Sequence, residues 1–170
     1  MGVEIGDIAP DFTLSDENGE QVTLSGLRGR NVVLVFYPLD FSPVCTQELK
    51  DISAVAERYA AAGAEVYGIS VDSRWTHAAF RRDEQLSAHL LADFHPKGAV
   101  AQQYGVYLDQ AGIANRGTFV IDAEGRVAHK VVTSPGEARN QDEYLAALAS
   151  CPVDLVGRAQ QPAPAEQARS

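Results

Sequence analysis

The run Val32-Val33-Leu34-Val35-Phe36-Tyr37 constrains this chain more than any other segment. It is continuous, β-branched and aromatic, with a polar break (Arg28-Gly29-Arg30-Asn31) before it and Pro38 after it. A short run with no polar face reads as a central strand buried on both sides, so the rest of the chain must supply a layer above and a layer below. After Pro38 the period changes. Leu49, Ile52, Val55, Ala56 and Tyr59 are spaced for one face of a helix that closes at Gly63. Residues 65–71 (EVYGISV) read as a second buried strand. A helix fits residues 76–86, and a shorter one fits residues 98–104, closing at Gly105. Residues 117–122 read as a strand, Ala123-Glu124-Gly125 as a turn and residues 126–132 as the returning strand of a hairpin. Residues 141–148 form a last amphipathic helix. Ahead of the central run, residues 12–14 and 21–24 are short strands joined through the turn Asp16-Glu17-Asn18-Gly19.

A βαβ unit followed by ββα predicts an α/β fold with a central mixed β-sheet flanked by helices. This is the thioredoxin-like layout, with an N-terminal β extension. Residues 1–157 are expected to form one domain. Residues 158–170 lack periodicity and large apolar side chains, and are expected to be a disordered tail. The chain carries 14 Lys and Arg against 23 Asp and Glu, a net charge of −9. Such a surface repels phosphate backbones and anionic lipid, so neither a nucleic acid nor a membrane is expected as partner. The N-terminus lacks the basic and apolar regions of a signal peptide, and a cytoplasmic protein is expected.

The chemistry concentrates between Pro38 and Glu48 (PLDFSPVCTQE), where a buried strand ends and a helix begins. Active sites of α/β sheets gather at the carboxyl ends of strands. Pro43 suits the first helical turn, which places Cys45 in that turn as well. Unpaired N–H groups and the helix dipole favour a thiolate there. Helix-end effects are worth only about 0.3 to 1 kcal/mol, so a full cation is needed beside them. Arg116, directly before the strand Phe119-Val120-Ile121, is the candidate, since a guanidinium stays charged. Ser42, three residues before Cys45, can face the same pocket, and an N-cap role for its hydroxyl is the competing reading. Glu48, three residues after Cys45, is placed to hold Arg116 by a bidentate contact; otherwise it is a solvated first-turn acid.

Pro38, Ser42 and Cys45 match Pro-x-x-x-(Thr/Ser)-x-x-Cys, and so the chain resembles the peroxiredoxins, the thiol peroxidases of the alkyl hydroperoxide reductase C and thiol-specific antioxidant superfamily. Ala9-Pro10-Asp11-Phe12, Gly68-Ile69-Ser70-Val71-Asp72, residues 99–106 (AVAQQYGV) and residues 116–122 (RGTFVID) extend the likeness in order along the chain. Residues 110–116 (QAGIANR) are similar to the one-cysteine alkyl hydroperoxide reductase E subgroup. The resemblance implies that Cys45 attacks a peroxide and becomes a sulfenic acid. It implies that Ser42 and Arg116 position the peroxide and polarise its O–O bond, and that Pro38 shields the sulfur. An exposed, activated thiolate is the expectation. Ser42 in place of the commoner Thr keeps the hydroxyl but rotates more freely. No cofactor and no metal are expected, because sulfur carries the chemistry. The implied partners are a peroxide (hydrogen peroxide, an alkyl hydroperoxide or peroxynitrite), an external thiol or redoxin as reductant, and further copies of the chain in a homodimer or larger homo-oligomer.

Cys151 lies in Ser150-Cys151-Pro152 after the last helix. The resemblance makes it a possible resolving cysteine, acting across subunits; its other reading is a small buried hydrophobe. The two cysteines form no CxxC, which argues against a disulfide reductase. A redox sensor that passes Cys45 oxidation to a partner protein remains the alternative to a peroxidase. Trp75 and Tyr104 are expected in the core, with a place beside the pocket as the other reading for Trp75. His77, His89, His95 and His129 have no metal spacing and are expected to be exposed or singly bonded.

Overall fold

The computed structural model describes residues 2–153. The expected domain end at 157 and the tail over 158–170 lie outside the described residues. The central run forms strand β3 (Asn31–Phe36), and all of its residues are buried. Period-2 alternation divides it between two cores. Val32, Leu34 and Phe36 face Leu24, Leu27, Tyr104 and Phe119, whereas Val33, Val35 and the following Tyr37 face Cys45, Leu49, Ile52, Phe80 and Leu148.

The sheet grows outward from β3. Strand β4 (Ala64–Ser70) pairs with it in parallel, and β8 (Arg116–Ile121) pairs on the other side antiparallel, with Phe36 opposite Gly117. Strand β9 (Val127–Thr133) returns beside β8, and β5 (His89–Ala92) lies parallel to β4. A short antiparallel hairpin, β1 (Thr13–Ser15) and β2 (Gln21–Thr23), completes the edge, so the order is β2-β1-β5-β4-β3-β8-β9. Helices α1 (Pro43–Ala54), α2 (Ala56–Ala61), α3 (Arg74–Glu84) and α5 (Gln141–Ala149) send Leu49, Tyr59, Phe80 and Tyr144 into the core that holds Cys45. The short helix α4 (Ala99–Gln103) and a 3-10 turn at Leu24–Leu27 pack on the opposite face. The mixed sheet with helices on both faces is the thioredoxin-like architecture expected. No helix among the described residues is long and apolar enough to cross a membrane.

Several elements depart from the sequence expectation. The long helix after Pro38 breaks at Val55 (φ −121°, ψ 30°) into α1 and α2, although its apolar face runs on across the break. Strand β5 and a two-stranded ribbon, β6 (Tyr107–Leu108) with β7 (Ile113–Ala114), were not anticipated, because such short segments carry too few residues to show a period. Tyr104 is in the core, but Trp75 is 69% exposed with the Arg74 guanidinium stacked on its ring.

Candidate active site

Cys45 occupies the first turn of α1, and Pro43 opens that helix. Helix α1 starts just beyond the carboxyl end of β3, so Cys45 sits where the central strand delivers the chain. The side chain is wholly buried, not exposed as expected, because Tyr37, Leu49, Val33 and Val35 close over it in one apolar cluster. Gly68 of β4 permits that closure: a Cβ there would lie 2.8 Å from Leu90 Cδ2 and 3.0 Å from the Tyr37 ring. Pro38 is buried at the strand's end. Ser42 stands at the N-cap position of α1, yet its hydroxyl does not cap the helix; it donates to the Leu39 carbonyl at 2.8 Å.

Glu48 lies one turn further along α1 and is buried. Arg116 is the first residue of β8, and its Nη1 donates to Glu48 Oε1 at 2.8 Å while its Nε donates to the Pro135 carbonyl at 2.6 Å. The expected Arg116–Glu48 contact therefore exists, but as a single hydrogen bond. The forked partner of Glu48 is Arg139, which the sequence reading missed. Its Nη2 donates to Glu48 Oε1 at 2.8 Å, its Nε to Oε2 at 3.1 Å and its backbone N–H to Oε2 at 2.6 Å. Arg139 Nη1 also donates to the Phe36 carbonyl at 2.7 Å and to Thr118 Oγ1 at 3.1 Å, and Thr118 donates to the Tyr144 hydroxyl. Two guanidiniums and one carboxylate leave a net positive charge beside the start of α1.

The arrangement places a sulfur in a helix's first turn, a hydroxyl one turn before it and an arginine fixed by a buried carboxylate. The AhpC/TSA family pattern matches residues 5–130. The chain belongs to the AhpC/TSA family. It is similar to alkyl hydroperoxide reductase E of Mycobacterium tuberculosis, at 43% identity over 149 residues, covering 87% of this chain and 97% of the relative. It is also similar to peroxiredoxin-2 of Mus musculus, at 41% identity over 152 residues, covering 84% of this chain and 76% of the relative. The crystal structure of AhpC from Enterococcus faecalis superposes with a TM-score of 0.81 at 27% identity, covering 95% of this chain and 98% of that one. The protein is a thiol-dependent peroxidase of the peroxiredoxin kind, with a peroxide as substrate and a thiol as reductant.

Two features bear on how this AhpC/TSA protein works. The first is the separation of its cysteines. The Cys151 carbonyl accepts from Asn31 Nδ2 at 2.7 Å, which fixes Cys151 at the start of β3, whereas Cys45 follows the strand's far end. Six residues of strand span about 16 to 20 Å, against the roughly 4.4 to 6.8 Å between Cα atoms that a disulfide requires. Cys151 is itself buried, with its thiol donating to the Ala147 carbonyl at 3.3 Å, and burial pushes that thiol's pKa up, away from the reactive range.

The second is the charge state of Glu48. Burial alone would raise its pKa, but the hydrogen bonds and charge of Arg139, then the charge of Arg116, outweigh it and hold the carboxyl below its ordinary 4.5. The unfolded chain then binds the Glu48 proton more readily than the folded one. Stability from this group is fully present above pH 4.5 and is lost as pH falls through the depressed folded value. Acid unfolding of Glu48→Gln, followed by circular dichroism, is expected to show lower stability than wild type at neutral pH and a shallower decline below pH 4.5. Equal slopes in the two proteins would contradict an ionised Glu48.

Proposed function

We propose that Cys45 is the peroxidatic residue, on the single observation that it starts α1 beside the Arg116–Glu48–Arg139 network. Its thiolate attacks one oxygen of the peroxide. An S–O bond forms, the O–O bond breaks, sulfur gives up two electrons and the departing alkoxide or hydroxide takes a proton. Cys45 is left as a sulfenic acid, and water or an alcohol is released. Arg116, with Nη1 and Nε held by Glu48 and Pro135, offers Nη2 to the oxygen that gains charge. The Ser42 hydroxyl spends its proton on Leu39, so its lone pairs can accept the peroxide O–H. That bond also fixes the rotor that a serine would otherwise leave free. Pro38 keeps water and bulky thiols from the sulfur.

The sulfenic acid then condenses with an external thiol, forming a mixed disulfide and water, and a second thiol releases Cys45. Resolution by Cys151 of the same chain is disfavoured by the length of β3, and burial of its thiol, with the pKa pushed up, disfavours attack on a partner's sulfur as well, so we assign a one-cysteine cycle. Leu39, Phe41, Trp75 and Phe94 are exposed at the carboxyl ends of the neighbouring strands β3, β4 and β5, and this apolar edge suits a second copy of the chain in a homodimer.

Turnover tests the cycle. With a small thiol in excess, wild type and Cys151→Ser are both expected to consume many equivalents of hydrogen peroxide per chain at equal rates. Consumption that stops after one equivalent favours a redox sensor. A Cys151→Ser protein that stalls while wild type cycles overturns the one-cysteine assignment.

A further inference from the structure

A second buried polar cluster lies on the other side of the Pro38–Ser42 loop, and the proposed reaction does not use it. Asp40, midway between Pro38 and Ser42, has a side chain closed to solvent, as has His77 of α3. This overturns the expectation of an exposed or singly bonded histidine. His77 Nδ1 lies 2.7 Å from Asp40 Oδ2, and Nε2 lies 3.1 Å from the Leu91 carbonyl of β5. The Tyr37 hydroxyl donates to Asp40 Oδ1 at 2.5 Å; burial raises its pKa well above 10, so it remains a donor. The Asp40 backbone N–H donates to Asp72 Oδ2, which also accepts from Ser70 Oγ. The loop is thus tied to the ends of β3, β4 and β5 and to α3. The ties have strain to hold, since Phe41, next to Asp40, adopts a left-handed φ of 67° that non-glycine residues rarely take.

The hydrogen-bond roles require a proton. A carbonyl only accepts, so Nε2 of His77 carries hydrogen toward Leu91. The contact between Nδ1 and Asp40 then needs one further proton, held on the ring as imidazolium or on the carboxyl. Without it, the Nδ1 lone pair faces a carboxylate oxygen in a site closed to water.

We infer that His77 and Asp40 are positioning residues, whose shared proton seats the loop carrying Pro38 and Ser42 against Cys45. This rests on Cys45 being the reacting sulfur. The hydrogen-bonded contact between the two side chains holds the loop in place, and a substitution that removes the contact releases it. Tyr37, Asp40, Asp72 and His77 are the titratable groups that meet in this cluster among the described residues.

The test measures the rate of Cys45 oxidation by hydrogen peroxide at neutral pH, in rapid mixing, for wild type, His77→Leu, Asp40→Leu and Asp40→Asn. Displacing the loop by about 1 Å is expected to slow His77→Leu at least about tenfold at neutral pH. An asparagine at 40 can accept from Tyr37 and donate its amide hydrogen to Nδ1, so its contact needs no shared proton. Asp40→Asn is therefore expected to stay within about threefold of wild type at neutral pH, whereas Asp40→Leu, which can make neither bond, is expected to slow at least about tenfold. Nitrogen NMR of wild type should find both His77 ring nitrogens hydrogen-bonded. A folded His77→Leu with the wild-type rate overturns the inference, as does an Asp40→Asn protein as slow as Asp40→Leu. If His77→Leu does not fold, the comparison of Asp40→Asn with Asp40→Leu decides. Failure of wild type to oxidise at Cys45 would instead sink the proposed function.

Discussion

Cys45→Ser is expected to abolish peroxide consumption, lowering the rate at least about 10⁴-fold, as removal of an enzyme's nucleophile does. The change is nearly isosteric, so the loss is chemical. A serine oxygen cannot give up two electrons to a peroxide, and its hydroxyl does not ionise near neutral pH. The substituted hydroxyl sits among Val33, Val35, Tyr37 and Leu49, in a site without solvent contact. Burial of a poorly paired hydroxyl costs about 1 to 3 kcal/mol, so a modest fall in melting temperature should accompany the loss. Peroxide consumption and thermal unfolding on the same sample separate the two effects. A Cys45→Ser protein that remains active would refute the assignment of Cys45.

Arg139→Met is expected to give the next largest effect, on both stability and rate. The substitution removes the fork on Glu48 and the bonds to the Phe36 carbonyl and Thr118. Glu48 keeps Arg116 and the backbone N–H of residue 139, so it is not stranded. Removing one member of a buried ion network costs about 3 to 5 kcal/mol, and the remaining bonds place this case near the lower end. Glu48 then pivots, and Arg116 with it. A misplacement of about 1 Å in a positioning group can cost up to about 100-fold in rate, so a decrease of about 10- to 100-fold in peroxide reduction is expected. Arg139→Lys restores the charge without the planar fork and should recover only part of the rate. If Arg139→Met loses stability but reacts at the wild-type rate, the network holds the fold and does not position Arg116.

The core of the site was legible because local signals coincide there. The β-branched run over 32–37 marks the buried strand, Pro43 marks the helix start, and the two together fix where Cys45 lies. Arg116 was readable because it abuts a strand that pairs directly with β3. Arg139 was not, since the stretch from Ser134 to Asn140 is polar and aperiodic, and an arginine there looks like any surface residue. Its burial depends on Glu48, ninety-one positions earlier. His77 was misread for a related reason. On α3 the aromatic Trp75 suggests the buried side, yet Trp75 is exposed and His77 is not, because Asp40 and the Leu91 carbonyl supply the partners that let an imidazole enter the core. Of the two readings of Cys151, a resolving thiol or a small buried hydrophobe, only the structure shows its burial and its distance from Cys45 along β3, since both depend on the contact with Asn31, far away in sequence.

The most direct test of Cys45 as the reacting sulfur is intact mass and peptide mapping after one equivalent of hydrogen peroxide, on wild type, Cys151→Ser and Cys45→Ser. The expected result is one added oxygen on Cys45 in the first two proteins, no linkage to Cys151, and no change in Cys45→Ser. Peroxide consumed with Cys45 unmodified, or with the oxygen found on Cys151, would contradict the account.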